Sequence, residues 1–243
     1  MATIAVYSSK GGVGKTTLAV NLAWAAATLS SRRTLLWDLD AQAGTSFILA
    51  HDRKQGDEAR AVIERDLSPR KLIVRTGIAN LDLLPADASL RTLDLLFAEI
   101  DSKKRLRRIG EALEGHYDRV IIDCPPGFGV TAEQVMRGAD LILLPLIPST
   151  LSSRAADELV AHLGAKKGAP PVLPIFNLVD RRRSAHRAAL EATPHRHALP
   201  MASVVEQMAD RHAPVGVYAS RAPVTAAIAA LWRDIERRLV EKS

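Results

Sequence analysis

Ser8-Ser9-Lys10-Gly11-Gly12-Val13-Gly14-Lys15-Thr16-Thr17 packs three glycines, two lysines and two threonines into one short run near the amino end. Glycines let a backbone wrap with its N–H groups pointing inward, which suits a group of phosphate oxygens. A helix opening directly after them adds its positive end to the same anion site. The residues from Lys10 through Gly11, Gly12, Val13, Gly14 and Lys15 to Thr16 and Thr17 therefore read as a cradle for a di- or triphosphate. In that arrangement Lys15 reaches the β- and γ-phosphates, the Thr16 hydroxyl ligates Mg2+, and Thr17 lies one step into the helix near the α-phosphate.

Two acidic segments complete this chemistry. Leu36-Trp37-Asp38-Leu39-Asp40-Ala41-Gln42-Ala43-Gly44-Thr45-Ser46 and Ile121-Ile122-Asp123-Cys124-Pro125-Pro126-Gly127 each place an acid at the end of an apolar run. Hard oxygen ligands suit Mg2+, so Asp123 reads as the carboxylate that holds the metal through water. Asp38 fits a structural role, because acids at strand ends often cap the next helix, and Asp40 is the better candidate for chemistry. Asn177, in Phe176-Asn177-Leu178-Val179-Asp180, carries both a donor and an acceptor for a base edge, though the same residue type also serves as a turn former. Cys124 reads as buried packing.

The elements that must hold these residues are legible as alternation. Short runs rich in Val, Ile and Leu at Ile4–Tyr7, Thr34–Trp37, Leu81–Leu84, Arg119–Ile122, Leu141–Leu146 and Val172–Phe176 read as buried strands, with a weaker one at Leu199–Val205. Helix-period segments fall between them at Lys15–Ser30, Leu90–Ile100, Lys103–Leu113, Thr131–Arg137, Ser152–Leu163, Arg181–Ala192 and Val224–Val240. This order predicts an α/β fold, a single doubly wound, mostly parallel sheet with helices on both faces, binding ligands at the carboxyl ends of its strands. With 243 residues, no internal repeat and no linker, residues 1–243 read as one domain. The polar stretch His51–Glu58 is the best candidate for a mobile surface loop.

A content of 47% hydrophobic and 25% charged residues excludes disordered, collagen-like and coiled-coil classes. No run of 18 apolar residues occurs, so a transmembrane helix is excluded and any membrane contact is peripheral. A lone cysteine and a start without a secretory leader pattern predict a cytoplasmic protein. The net charge is +6, most of the excess lying after residue 150, which suggests a polyanionic partner.

Lys10-Gly11-Gly12-Val13-Gly14-Lys15-Thr16-Thr17 resembles the deviant Walker A box of the ParA/MinD family of P-loop ATPases. The first glycine of the general pattern falls on Ser9, and the second lysine, Lys10, follows it. The resemblance implies the P-loop NTPase fold, ATP and Mg2+ as cofactors, and a homodimer formed with ATP in which Lys10 reaches the partner's phosphates. Asp40 resembles the family's switch I aspartate of Asp-x-Asp-Pro-Gln, which helps position the attacking water and, with Thr16 and Asp123, surrounds the metal. Ala41 replaces the family's proline, which loosens that loop without removing the carboxylate. The implied catalytic set is Lys10, Lys15 and Asp40. Pro125-Pro126-Gly127-Phe128-Gly129 resembles switch II, and Asn177 stands where the family reads the adenine edge.

The same resemblance implies an output. ParA-like members bind double-stranded DNA nonspecifically as the ATP dimer and hydrolyse ATP slowly, stimulated by a ParB-like or other adaptor protein, to segregate a plasmid or chromosome region or to position a protein cargo. Such a protein is cytoplasmic and nucleoid-associated when ATP-bound. The alternative is a MinD-like membrane-associated positioning ATPase, but the last helix carries acids at 234, 236 and 241, unlike an interfacial anchor. Candidate DNA contacts are Arg181, Arg182, Arg183, Arg187, Arg211, Arg221, Arg233 and Arg237, with Arg183/Arg187 and Arg233/Arg237 each expected on one helix face. Helix-turn-helix and zinc-finger spacings are absent, and the late histidines lack a cysteine pattern for zinc.

Overall fold

Apolar runs of four to six residues without a polar alternation settle where both faces of a sheet are covered. The computed structural model describes residues 1–52, 58–64, 68–99, 105–164 and 168–241. Its strands are β1 Ala2–Val6, β2 Thr34–Asp38, β3 Val74–Arg75, β4 Leu81–Leu84, β5 Arg119–Asp123, β6 Leu141–Leu146, β7 Val172–Val179 and β8 Ala198–Pro200. Between them run α1 Lys15–Leu29, α2 Gly44–Leu49, α3 Ala59–Glu64, α4 Leu93–Glu99, α5 Arg105–Glu111, α6 Val130–Gly138, α7 Thr150–Gly164 and α8 Ser184–Ala192. Three short helices, α9 Ser203–Glu206, α10 Met208–Arg211 and α11 Val215–Tyr218, lead into the long α12, Pro223–Val240.

Among the described residues the strands form one sheet in the order β3-β4-β2-β5-β1-β6-β7-β8, with only β3 antiparallel to its neighbour. The order reverses at β1, so a crevice opens at its carboxyl end between the connections that leave in opposite directions. Alternate residues feed two cores. Ile4, Val6, Leu36, Ile121 and Leu143 pack with α1 and α12 on one face. Ala5, Leu35, Trp37, Val120 and Ile122 pack with α4, α5 and α6 on the other.

Several elements differ from the sequence expectation, among them the short helices α2, α3, α10 and α11, which no expected segment covers. The two-residue β3 carries no apolar run to mark it in the sequence. The weak strand expected over Leu199–Val205 is β8, Ala198–Pro200, whose ladder to β7 closes with Met201 N–H donating to the Val179 carbonyl at 2.9 Å, and Ser203–Glu206 coils into α9. The helix expected from Arg181 begins at Ser184, because Asp180 Oδ1 accepts Arg182 N–H at 3.0 Å and holds a turn there. The helix expected from Leu90 opens as a 3-10 turn over Ala88–Thr92, with Asp87 capping Ser89 N–H at 2.9 Å. Part of the expected loop (53–57), Lys103, Lys104, Lys166 and Lys167 lie outside the described residues.

In α12, Leu231, Trp232, Ile235 and Leu239 are buried, and Trp232 Nε1 donates to Ser30 Oγ at 2.8 Å. That apolar stripe is therefore spent on packing against α1. Among the described residues no helix is long and apolar enough to cross a membrane. Asp234, on the same helix, accepts from Arg237, from Arg238 at 2.9 Å, and faces His197 Nε2 at 3.1 Å. Burial alone would raise its carboxyl, but these hydrogen bonds outweigh it and hold the pKa at about 2. An acid depressed on folding stabilises the fold above its unfolded pKa of roughly 4 and loses that contribution as pH falls through the folded value. Denaturant unfolding midpoints should therefore fall between pH about 4 and 2 in wild type, and Asp234→Asn should flatten part of that limb. An unchanged acid limb would remove the assignment.

Candidate active site

The site is assembled by β1, β2, β5 and β7, whose carboxyl ends converge on the crevice. After β1 the chain turns through Ser8–Gly14 into α1. Gly12 and Gly14 adopt φ of +71° and +84°, a region that L side chains rarely enter, so the loop's path depends on glycine at both. Gly14 caps α1, its carbonyl accepting Leu18 N–H at 3.0 Å. Lys15, the first residue of α1, is 7% exposed and folds back so that Nζ donates to the Lys10 carbonyl at 3.1 Å. Burial lowers its pKa, and the carboxylates of Asp123 and Asp40 act against that. The result is a fixed cation at the mouth of a loop rich in backbone N–H. Lys10, by contrast, is exposed, and its ammonium makes no ion pair among the described residues.

β2 and β5 are neighbours in register, so Asp38 and Asp123 sit side by side, both with 0% exposure. Their partners separate their roles. Asp38 accepts Asp40 N–H at 3.1 Å, Ser46 N–H at 2.9 Å and Ser46 Oγ at 2.7 Å, which makes it the anchor of the loop and of α2. Asp123 Oδ2 accepts the Thr45 hydroxyl at 2.7 Å, and Asp123 Oδ1 is a buried side-chain oxygen with no hydrogen-bond partner among the described residues. Desolvation pushes both acids upward, Asp38 further through its neighbour Asp123, while the hydroxyls of Thr45 and Thr16 pull Asp123 back. A wholly buried carboxylate oxygen lacking a donor beside a threonine hydroxyl fits a hard divalent cation or its bound water. Thr16 and Asp123 are the groups that would hold it. Asp40 is half-buried at the end of β2, and its Oδ1 accepts Gln42 N–H at 2.9 Å.

The loop after β5 is tied to the glycine loop. Tyr7 Oη donates to the Gly127 carbonyl at 2.8 Å and Gly127 N–H donates to the Ser9 carbonyl at 3.2 Å. Phe128 stands 71% exposed beside them. Cys124 is buried, and desolvation raises its thiol well above the ordinary range, so it packs and does not attack.

Asn177, on β7, is buried and donates Nδ2–H to the Val13 carbonyl at 2.8 Å, so it braces the glycine loop from the side. Asn177 also lines a cavity of about 70 Å3, together with Thr17, Asn21, Leu178, Met201 and Ile228. A larger cleft of about 630 Å3, lined by Arg33, Arg70, Arg75 and His116, touches none of these groups.

The crevice thus unites Lys10–Thr17, Asp40, Asp123 and Asn177. It does not unite the arginines, although all eight are exposed. Arg181, Arg182, Arg183 and Arg187 follow the carboxyl end of β7, Arg211 ends α10, which packs beside α2, and Arg221 precedes the start of α12. Arg233 and Arg237 lie toward the far end of α12, where Glu236 binds Arg32 and Arg119 beside the starts of β2 and β5. Arg183 is the cap of α8, not a member of it, so it does not share a helical face with Arg187, whose guanidinium donates to the carbonyls of Arg181 and Arg182 at 3.0 and 3.1 Å. Arg182 pairs with Asp180 at 2.9 Å, Arg237 pairs with Asp234, and Arg211 lies over the Tyr218 ring. Arg196, another late cation, is packed over Phe176 and paired with Asp157. Sequence reasoning missed Thr45 and Tyr7, whose only signal was a polar residue next to a site motif.

The model of the AAA domain family matches residues 1–167. The chain is 36% identical over 146 residues to the chromosome partitioning protein ParA of Myxococcus xanthus, covering 59% of this chain and 51% of that protein. It is 33% identical over 192 residues to the chromosome partitioning protein ParA of Caulobacter vibrioides, covering 74% and 71%. The first match thus spans about half the length of its relative. Among solved structures, cobyrinic acid a,c-diamide synthase of Mycobacterium smegmatis with bound ATP analogue and magnesium is 26% identical with a TM-score of 0.80, covering 98% of this chain and 95% of that one. The cell division ATPase MinD of Pyrococcus furiosus, 22% identical with a TM-score of 0.80 over 97% and 98%, shares the fold.

Proposed function

The chain belongs to the ParA/MinD family of P-loop ATPases, and from that premise we propose that it is a ParA-like positioning ATPase acting through one domain, residues 1–243. It binds ATP and Mg2+, forms a homodimer on them, binds nonspecific double-stranded DNA as that dimer, and hydrolyses ATP slowly. The observation that carries the reading is the division of labour between two lysines. Lys15 is buried over its own loop, while Lys10 is exposed and free to meet a second chain's phosphates.

The residues take the following roles. Loop amides and Lys15 hold the phosphates, Thr16 and Asp123 would hold the cation, and Asn177 meets the adenine edge with the groups that Val13 leaves free. Bound Mg2+ would neutralise charge developing on the phosphate oxygens. Asp40 orients the attacking water, and because it is the sole carboxylate offered for that task, turnover without a partner is slow. A ParB-like or other adaptor stimulates it, and the cargo is a plasmid, a chromosome region or a protein assembly. The protein is cytoplasmic and joins the nucleoid when ATP-bound. The clustered exposed arginines Arg181, Arg182, Arg183 and Arg187, with Arg211 and Arg221, support a phosphate-contacting surface on the nucleotide end of the sheet. Arg233 and Arg237 would belong to a separate patch.

The test is a salt titration of binding to nonspecific duplex with ATP or ADP, for wild type and Lys10→Ala, beside pelleting with anionic liposomes. Binding should require ATP, fall by roughly 10-fold or more in Lys10→Ala because one patch replaces two, and weaken steeply with salt. Binding to liposomes and not to DNA would replace this reading with a MinD-like membrane-associated one. Equal dimerisation of wild type and Lys10→Ala at saturating ATP would remove the role of Lys10 in trans.

A further inference from the structure

Of three consecutive residues at the start of α2, two touch the phosphate and metal site and the third holds the buried acid beside it. Gly44 packs against the Thr16 side chain, with a Cβ there only 3.2 Å from Thr16 Cγ2. Thr45 donates its hydroxyl to Asp123 Oδ2 at 2.7 Å, and Ser46 holds Asp38 through both its N–H and its hydroxyl. The Ser46 hydroxyl in turn accepts Ala86 N–H at 2.9 Å, so the start of α2 is also fastened to the end of β4. These residues follow directly on the Asp40–Ala43 loop. A change in that loop's shape therefore arrives first at Thr16, Asp123 and Asp38.

Thr45 is wholly buried, and so is the carboxylate it serves. A carboxylate on a strand end is free to rotate about its last bond, and a single short hydrogen bond to one oxygen decides where the other oxygen points. Here the bonded oxygen is Oδ2 and the remaining oxygen, Oδ1, is the one without a partner. We propose that Thr45 is a positioning residue for the metal-holding carboxylate: its hydroxyl fixes Asp123 with Oδ1 toward the cation and couples that orientation to the Asp40 loop. The inference rests on the ATPase reading above and goes beyond it, because it places an outer partner of the metal on α2. Outer hydrogen bonds of this kind set ligand orientation and commonly change metal affinity by 10–100-fold when removed.

The experiment compares wild type, Thr45→Val, Thr45→Ala and Thr45→Ser. Binding of a fluorescent ATP analogue is titrated with Mg2+ and repeated in chelator, and thermal unfolding without nucleotide reports whether each variant is folded. Thr45→Val keeps the shape and removes the donor, so its Mg2+ midpoint should rise about 10-fold or more above that of wild type. Thr45→Ser should stay within about 2-fold of wild type, and Thr45→Ala, which leaves room for a water, should fall between and serves if valine disturbs folding. A folded Thr45→Val or Thr45→Ala with a wild-type Mg2+ midpoint overturns the proposal alone. Wild type that takes up no nucleotide with Mg2+ overturns the ATPase reading and the proposal together.

Discussion

Lys15→Ala is expected to abolish detectable binding of ATP with Mg2+ while leaving the chain folded. The side chain is 7% exposed, folded over the glycine loop and flanked by Asp123 and Asp40. Truncating one partner of a buried charge pair between protein and ligand costs about 2–5 kcal/mol of binding, because the other charge is left desolvated and unpaired. At about 1.4 kcal/mol per tenfold, that is a loss of roughly 30- to 4,000-fold in affinity. The local field changes as well as the contact count. Without the lysine, the acids at the ends of β2 and β5 face an incoming polyanion uncompensated, so repulsion adds to the lost attraction. Titration calorimetry with a slowly hydrolysed ATP analogue checks this, and an affinity within about 3-fold of wild type would contradict the phosphate role.

The residues that make this prediction possible were legible because their chemistry is local. A glycine run between an apolar strand and a helix specifies where Lys15 and Thr16 sit, and an acid closing an apolar run specifies a strand end facing the crevice. Asp38 and Asp123 were legible as strand-end acids but not as neighbours: only the pairing of β2 with β5 brings them into register and leaves one oxygen without a donor. Thr45 was invisible for a related reason. A threonine in a polar stretch reads as surface, and its burial follows from α2 folding back over two strand ends. The arginines show the opposite limit. Spacing relates residues along one helix, but α12 spans about 27 Å at 1.5 Å per residue, so its two ends serve different ends of the sheet. Where the backbone departs from the expected elements, at β3 and Asp180, the cause is a strand too short to show a period or a side-chain turn.

Gly14→Ala is expected to destabilise the fold and to disable the phosphate loop by two separable routes. Its φ of +84° costs an L residue about 1–2 kcal/mol, whatever the surrounding space. In addition, a Cβ at this position collides with the Asn177 side-chain amide, the group that donates to the Val13 carbonyl at 2.8 Å. Displacing that amide sacrifices a buried hydrogen bond, about 1 kcal/mol net and more if the carbonyl is left unpaired. The sum is about 2–4 kcal/mol, a large part of the margin of an ordinary domain. The two routes can be told apart because one of them runs through Asn177. Asn177→Ala alone loses the brace, and Gly14→Ala in that background keeps the backbone strain but meets no collision. The double variant should therefore be more stable than the sum of the single losses by about 1 kcal/mol. Denaturant unfolding of the four proteins gives that coupling directly. Strict additivity would mean that Asn177 does not occupy the space beside Gly14, and that its amide is free to serve the nucleotide base alone.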